Sequence, residues 1–99
     1  MKAFETLTIS GTSTPLTAGI YSKNNGLECA NKATISVETA SLRYRVDGSA
    51  PTATVGLLAN DGDVITLLGR NEIKLFRAIR VGVDSKITVD YGTAIEQVN

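Results

Sequence analysis

The sequence has no histidine and no tryptophan, and it has a single cysteine, Cys29. Without histidine, the Ser-His-Asp and Cys-His catalytic groups, histidine-ligated metals and imidazole pH switches are all excluded. One cysteine leaves no partner for an intramolecular disulfide and excludes a zinc site built from several cysteines. We expect Cys29 to be a small buried hydrophobe. Because these absences remove most common enzyme mechanisms, we predict that the chain is not an enzyme.

An excess of charge and a long apolar run are also missing. Ten Lys and Arg balance ten Asp and Glu, so the formal net charge is zero. A neutral chain offers no basic field for nucleic acid or an anionic membrane, and we expect neither as a partner. A neutral surface is a poor defence against self-association, which favours a homo-oligomer. No apolar run approaches the ~20 residues of a membrane-spanning helix, and no apolar core of a signal peptide is found. We therefore expect a soluble protein.

Motifs of catalysis and ligand binding are absent as well. The sequence contains no glycine-rich phosphate loop, nucleophile elbow or dinucleotide fingerprint, and its carboxylates show no glycosidase-like arrangement. Asp61, Asp63 and Glu72 match three positions of a calcium loop, but the apolar run Val64–Leu68 occupies the ligand positions between them. We predict no catalytic, cofactor-binding or metal-binding residue, no cofactor, and no small-molecule ligand.

Short runs of alternating apolar and polar residues are the main positive signal, and they are typical of half-buried strands. The runs are Phe4–Ile9, Ala33–Val37, Leu42–Val46, Val55–Leu58, Val64–Leu68, Leu75–Val81 and Ile87–Tyr91. Leu16 with Ile20–Tyr21 is a weaker candidate for a short edge strand. Seven or eight short strands without a convincing helix predict an all-β fold, an antiparallel β-sandwich of the immunoglobulin-like or jelly-roll kind. A closed barrel remains an alternative.

Neighbouring runs predict two local pairings and one turn. The short connection Thr39–Ser41 favours a hairpin between the runs at 33–37 and 42–46, with Glu38 near Arg43 or Arg45 across the strands. Asp61-Gly62 predicts a tight turn between the next two runs. The runs at 75–81 and 87–91 are expected to pair antiparallel. A single helical turn at Arg70–Ile73 is expected before the first of them.

We interpret residues 1–99 as one β-sandwich domain of ordinary size. Residues 1–32 carry a weaker strand pattern, and the polar segment 16–26 is either a surface loop or a contact arm. Residues 92–99 include only Ile95 and Val98 as apolar residues, which predicts a flexible C-terminal arm or an arm ordered by a neighbour.

The aromatic residues allow two interpretations. They could form the core, which we favour, or a platform on which sugars or bases stack. The five are Phe4, Tyr21, Tyr44, Phe76 and Tyr91. The turn Asp47–Thr52 has a structural explanation, in which Asp47 bonds the backbone of its own turn, Gly48 supplies a positive φ and Pro51 stiffens the exit.

A family resemblance covers about residues 33–91. It is carried by Leu42–Gly48, Ala50-Pro51-Thr52, Gly56, Leu58, Gly62-Asp63 and Phe76–Arg80. This pattern resembles that of small virion structural proteins of tailed bacteriophages. A related hairpin also occurs in immunoglobulin-like modules similar to the C-terminal domain of chitobiases.

The resemblance implies a capsid-associated protein, such as a decoration or cement protein on the shell or a protein of the head–tail junction. Its partners would be the major capsid protein or other virion proteins, and it would be made in the bacterial cytoplasm of the host and reside in the virion. The resemblance implies no catalytic residue. A carbohydrate-binding accessory module is the alternative, motivated by the chitobiase-like hairpin and the tyrosines.

Overall fold

Alternating apolar and polar residues form most of the strands in a computed structural model that describes residues 2–23 and 28–92. For Lys2, Lys23, Glu28 and Cys29 only the backbone is described. The strands are β1 (Lys2–Ile9), β2 (Thr14–Pro15), β3 (Ser22–Lys23), β4 (Glu28–Cys29), β5 (Lys32–Glu38), β6 (Leu42–Arg45), β7 (Leu57–Ala59), β8 (Val64–Leu68), β9 (Arg77–Arg80) and β10 (Ser85–Gly92). Two short helices, α1 (Ala18–Tyr21) and α2 (Arg70–Leu75), lie between them.

Eight of these strands form two antiparallel sheets, and the expected all-β sandwich is confirmed. Sheet A has the order β1-β10-β5-β8, and sheet B has the order β2-β9-β6-β7. The strands β3 and β4 form a separate small hairpin. Each sheet therefore has two central strands and two edge strands. The edge strands β7 and β8 lie on the same side of the sandwich, because they are consecutive and occupy corresponding ends of the two sheets.

The strand order is that of a rolled-up hairpin. Along the chain, the first sandwich strand pairs with the eighth (β1–β10), the second with the seventh (β2–β9), the third with the sixth (β5–β8) and the fourth with the fifth (β6–β7). Rolling this long hairpin places β10 beside β5 and β9 beside β6. This winding is a jelly roll, which decides between the two sandwich types that the sequence left open.

The two ends of the sandwich differ. At one end lie four short connections, at residues 10–13, 39–41, 60–63 and 81–84. The connections at 39–41, 60–63 and 81–84 are hydrogen-bonded to one another: Ser41 Oγ donates to Asn60 Oδ1 at 2.8 Å, and Val81 N–H donates to Ser41 O at 3.4 Å. At the other end lie the segment with α1, β3 and β4, the loop 46–56 at the tip of the rolled hairpin, and the segment with α2.

The inward residues of both sheets form one apolar cluster. Its buried members are Ile9, Leu16, Ala30, Ala33, Ile35, Val37, Leu42, Ala59, Ile65, Leu67, Ile73, Phe76, Ala78, Ile87, Val89 and Tyr91. The predicted inward sets at 33–37 and 87–91 are confirmed in full. Full burial of each large side chain contributes about 1.5–3 kcal/mol of transfer free energy, so this cluster is the main source of stability.

Both predicted local pairings, of 33–37 with 42–46 and of 75–81 with 87–91, are wrong, whereas the predicted turn at Asp61-Gly62 is confirmed. The chain changes sheet between β5 and β6, between β7 and β8, and between β9 and β10, so neighbouring runs face each other across the core. Glu38 accepts a hydrogen bond from Thr88 at 2.6 Å rather than contacting Arg43 or Arg45. The alternation was misleading because it identifies the inward face of a strand without identifying the neighbour in its sheet.

The remaining expectations had mixed outcomes. Leu16 is buried, but Ile20–Tyr21 belongs to α1 and is not an edge strand. The expected helical turn is confirmed and runs to Leu75, followed by β9. The predicted burial of the Cys29 side chain and the predicted arm beyond Gly92 lie outside the described residues. No helix in the described ranges is long and apolar enough to cross a membrane.

Candidate functional site

One side of the sandwich carries most of the exposed large hydrophobic side chains. Five of the eight such residues in the described ranges lie on β7, on β8 or just before β7. Their exposed fractions are 52% for Val55, 57% for Leu57, 50% for Leu58, 62% for Val64 and 61% for Leu68. We call this set the apolar side. No sequence pattern predicted it, because a run such as Val64–Leu68 looks the same whether one face or both faces of the strand are covered.

Strand β8 also presents unpaired backbone groups. Val37 N–H donates to Asp63 O at 2.9 Å and Gly69 N–H donates to Asn31 O at 2.7 Å, which fixes the alternation of the ladder with β5. The backbone groups of Ile65 and Leu67 therefore face β5, and those of Val64, Thr66 and Leu68 face away. Only the Leu68 N–H has a described partner, Glu72 Oε1 at 3.0 Å.

Beside β7 lies a shallow, largely apolar cleft of about 410 Å³, bounded by the 46–56 loop. Its lining includes Tyr44, Val46, Val55 and Leu57. The Tyr44 ring stacks on Phe76 with 5.6 Å between ring centroids, and burial raises the pKa of its hydroxyl. The cleft is lined both by residues of the apolar side and by residues of Leu42–Gly48, which carries part of the family resemblance.

The loop that bounds this cleft is tied down by hydrogen bonds. Arg43 donates to the carbonyls of Ala53 at 3.1 Å and Gly56 at 2.9 Å. The carboxylate of Asp47 accepts the Ser49 N–H at 3.1 Å, and the hydrogen bond from the Arg45 guanidinium holds the pKa of Asp47 below its ordinary value. These contacts give the loop one defined shape.

The expected turn roles of Asp47 and Gly48 are confirmed. Asp47 bonds the backbone of its own turn, and Gly48 has a φ of 85°. Arg45 pairs with Asp47, and both side chains are partly open to solvent. A surface ion pair of this kind adds little stability, so its main effect is to orient the two side chains.

A second cleft, of about 420 Å³, separates α1 from α2. Arg70 and Lys74 line it from α2, Tyr21 lines it from α1, and no described carboxylate lines it. Arg70 and Lys74 are four residues apart and therefore share one face of the helix. The cleft is cationic, and its lining is more polar than that of the cleft beside β7.

Behind this second cleft, a buried carboxylate fastens the chain before α1 to sheet A. Glu5 is 7% exposed and accepts hydrogen bonds from Thr17 N–H at 3.1 Å, from Thr17 Oγ1 at 2.6 Å and from the Tyr91 hydroxyl. Burial and then the bond to Glu5 raise the pKa of Tyr91. The Tyr21 ring lies 6.0 Å from that of Tyr91. Sequence reasoning missed Glu5, although its parity with Leu7 and Ile9 places it inward.

The three carboxylates that matched a calcium loop do not come together. Asp61 accepts the Thr39 N–H at 3.1 Å and Asp63 accepts the Asn60 N–H at 2.8 Å, both at the short-connection end. Glu72 lies beyond the other end of β8, a strand whose five residues span about 17 Å. Among the residues that can be described, no three candidate ligands cluster to hold a metal ion.

The aromatic residues do not form one platform. Phe76 and Tyr91 are buried, and Tyr21 and Tyr44 pack partly against the core, as the core interpretation expected. Phe4 is 63% exposed, so that interpretation is wrong for Phe4. It lies on β1, at the edge of sheet A opposite the apolar side.

Comparison of the chain with models of protein families, with curated proteins and with solved structures gives no match. The fold and the described surfaces define the class of the molecule: a jelly-roll β-sandwich with an apolar side and a hydrogen-bonded loop next to it.

Proposed function

We propose that the chain is a non-enzymatic virion structural protein of a tailed bacteriophage. It would stabilise the capsid or the head–tail region by contacting the major capsid protein or another virion protein. The observation that supports this best is the apolar side. Several exposed apolar side chains on one side of a protein often mark a surface that contacts another protein.

The part of the apolar side that we assign to the virion partner consists of Val55, Leu57 and Leu58, which we call the β7 surface. Its side chains are half exposed or more and lie beside the cleft bounded by the 46–56 loop. A partner with an apolar side chain that enters this cleft would displace water from both surfaces. Because hydrogen bonds from Arg43 already fix the loop, binding costs little conformational entropy.

The strength of one such contact is modest. Covering a half-exposed leucine contributes on the order of 1 kcal/mol, and three residues do not make a tight complex. A protein present in many copies on a repeating lattice does not need a tight single contact, because linked contacts reinforce each other. A neutral molecule with a small apolar surface suits this mode of action.

The fold is compatible with the proposal and does not decide it. Jelly rolls include viral capsid domains, and they also include lectins. Function depends on the surfaces that a fold carries rather than on the fold itself.

The direct test is incorporation into particles. The tagged chain is produced in the bacterial host during infection by the phage that encodes it, and particles are banded on a density gradient. We expect the tagged chain in the particle band, and we expect the double variant Leu57→Lys/Leu58→Lys to be depleted there at least about tenfold, equivalent to about 1.4 kcal/mol. Phe4→Lys is the matched control, because it places the same charge on the opposite edge of the sandwich. A wild-type chain that remains in the soluble fraction would contradict the proposal.

Carbohydrate binding is the second candidate, favoured by the cleft between α1 and α2. That cleft combines the Tyr21 side chain with polar groups such as Asn71. Tyr91 cannot present a ring face to a sugar, because it is 1% exposed. Titration of a glycan panel should then give a response that Tyr21→Ala abolishes and Tyr44→Ala preserves. No response from the folded wild-type chain would reject this candidate.

A further inference from the structure

We propose that β8 pairs edge to edge with β8 of a second copy of this chain. The two strands run antiparallel about a two-fold axis through Ile65, and the two A sheets join into one sheet of eight strands. This inference rests on the proposed function in that it assigns a second partner to the same apolar side. The β7 surface would contact the virion partner, and β8 would contact the second copy.

The backbone of β8 supplies the hydrogen bonds. The N–H and C=O groups of Val64 and Thr66 face away from β5, at an edge that no described residue covers. In a two-fold pairing centred on Ile65, Val64 lies opposite Thr66 of the second copy. Each of these two residues then donates one hydrogen bond and accepts one, which gives four bonds across the interface.

Glu72 selects this register. Its carboxylate already accepts the outward Leu68 N–H at 3.0 Å. A pairing centred one residue later, on Thr66, would need that N–H for the second copy and would displace Glu72. The register centred on Ile65 uses only donors that have no described partner.

The side chains of β8 lack the usual protection of an edge strand. Natural edges carry lysines, prolines, bulges or covering segments that prevent pairing. The sequence of β8 is Val-Ile-Thr-Leu-Leu, with no charge and no proline, and Val64 and Leu68 are more than 60% exposed. In the pair, the two Ile65 side chains would meet on the inner face, and Val64 would lie beside Thr66 of the second copy on the outer face.

A second copy fits this edge better than an unrelated strand. The donors and acceptors of Val64 and Thr66 complement those of an identical antiparallel strand, as an isologous two-fold interface requires. The chain has zero formal net charge, so two copies do not repel each other overall. The interface is short, so we expect dissociation constants of roughly 10–100 µM, which is weak but sufficient where copies are concentrated.

Sedimentation velocity of the full chain between roughly 5 and 500 µM tests the pairing, a range chosen to bracket the expected affinity. Thr66→Pro removes an outward N–H and leaves the ladder with β5 intact, because proline is tolerated where an edge N–H faces solvent. Val64→Lys adds a charge at the edge and keeps every backbone donor. Phe4→Lys is the matched control on the opposite edge of sheet A.

We expect the wild type and Phe4→Lys to shift toward a dimer as concentration rises. Thr66→Pro and Val64→Lys should each raise the concentration of half-dimerisation at least about tenfold, or about 1.4 kcal/mol. In the wild type, amide exchange at Val64 and Thr66 should slow with rising concentration, and exchange at Leu68 should not. Circular dichroism verifies the fold of each variant, and Val64→Lys suffices if Thr66→Pro does not fold.

A wild-type chain that is monomeric at every concentration, or a dimer that persists in both edge variants, would overturn the inference. The outcome is separate from that of the particle experiment. A chain that dimerises through β8 but is absent from particles contradicts the proposed function alone. A chain that enters particles but does not dimerise contradicts this inference alone.

Discussion

Tyr91 and Glu5 show how single residues secure the long-connection end of the sandwich. Both are buried on sheet A and hydrogen-bonded to each other, and Glu5 also accepts two hydrogen bonds from the exposed Thr17, which fixes the approach to α1. A buried carboxylate without partners would cost several kcal/mol, so this group is stable only because Glu5 accepts three hydrogen bonds.

The Tyr91 hydroxyl predicts a loss of stability at high pH. Its pKa in the folded chain is raised above the ordinary 10.0, because burial disfavours the phenolate. The unfolded chain therefore releases this proton near pH 10 while the folded chain retains it, and the free energy of unfolding falls as pH rises. The fall should approach about 1.4 kcal/mol per pH unit above pH 10.

Urea unfolding from pH 8 to pH 11 checks this. Tyr91→Phe should lower stability by about 1–3 kcal/mol at pH 8, because Glu5 loses a donor, and should show a shallower fall above pH 10. Tyr44→Phe is the comparison: burial also raises the pKa of the Tyr44 hydroxyl, but Tyr44 is only partly buried and has no described hydrogen bond to a carboxylate, so Tyr44→Phe should change the alkaline fall less than Tyr91→Phe does. An equal alkaline fall in Tyr91→Phe and in the wild type would contradict the assignment to Tyr91.

Two glycines with positive φ predict different costs of substitution. Gly56 has a φ of 137°, and a Cβ there would lie 3.2 Å from the Tyr44 carbonyl oxygen. Gly62 has a φ of 95°, and a Cβ there would meet nothing within 4 Å. Gly62→Ala should cost about 1–2 kcal/mol from backbone strain alone. Gly56→Ala should cost roughly 1–3 kcal/mol more, because it also crowds the base of the loop. Equal midpoints of chemical unfolding for the two variants would contradict this geometry.

At the residue scale, the sequence was sufficient for the inward faces at 33–37 and 87–91 and for the turn at Asp61-Gly62. Alternation identified Ile35, Val37, Ile87 and Val89 as inward, and Asp61-Gly62 as a turn. The expectation that the aromatic residues form the core was wrong for Phe4. Phe4 alternates like an outward residue and is exposed, although aromatic residues usually favour the core.

At the element scale, connections rather than strands were misjudged. A three-residue link such as 39–41 can close a hairpin or carry the chain to the opposite sheet, and both outcomes keep the same residues inward. The choice depends on which strands are available as neighbours. Strand β5 pairs with β10 and β8, which lie far from β5 in the sequence, so no local signal could reveal the pairing.

The observed register predicts specific cross-strand contacts. Val89 lies opposite Glu5 on β1 and opposite Ile35 on β5. Two-dimensional nuclear Overhauser spectra of the folded chain should show backbone contacts from Val89 to both residues. The hairpin suggested by the sequence would instead place the run 87–91 beside the run 75–81. Backbone contacts between Val89 and Ile79 would contradict the jelly-roll order.

The order of the strands in the sheets explains why the sequence did not predict the candidate surfaces. The apolar side exists because β7 and β8 are both edge strands on one side, and edge positions are properties of sheet order. Within the loop 46–56, the sequence predicted the turn Asp47–Thr52, with a backbone hydrogen bond to Asp47 and a positive φ at Gly48. Its position beside β7 follows only from its place at the tip of the rolled hairpin.

At the scale of the whole molecule, the jelly roll places surfaces of different character on its two ends and its two sides. The short-connection end is hydrogen-bonded within itself, and the long-connection end holds the two helices and the cationic cleft. One side carries the exposed apolar residues, and the opposite side carries Phe4. Such a molecule can contact two neighbours through two adjacent strands, β7 and β8, while its core remains unchanged.

An electron-microscopy reconstruction of the particle that carries this chain tests the central claim most directly. The proposal that the chain acts through its apolar side predicts jelly-roll density with Val55, Leu57 and Leu58 against a virion protein. Strand β8 should lie beside β8 of a second copy. Particles that lack the chain, or a reconstruction in which the apolar side faces solvent and another surface makes the contacts, would contradict it.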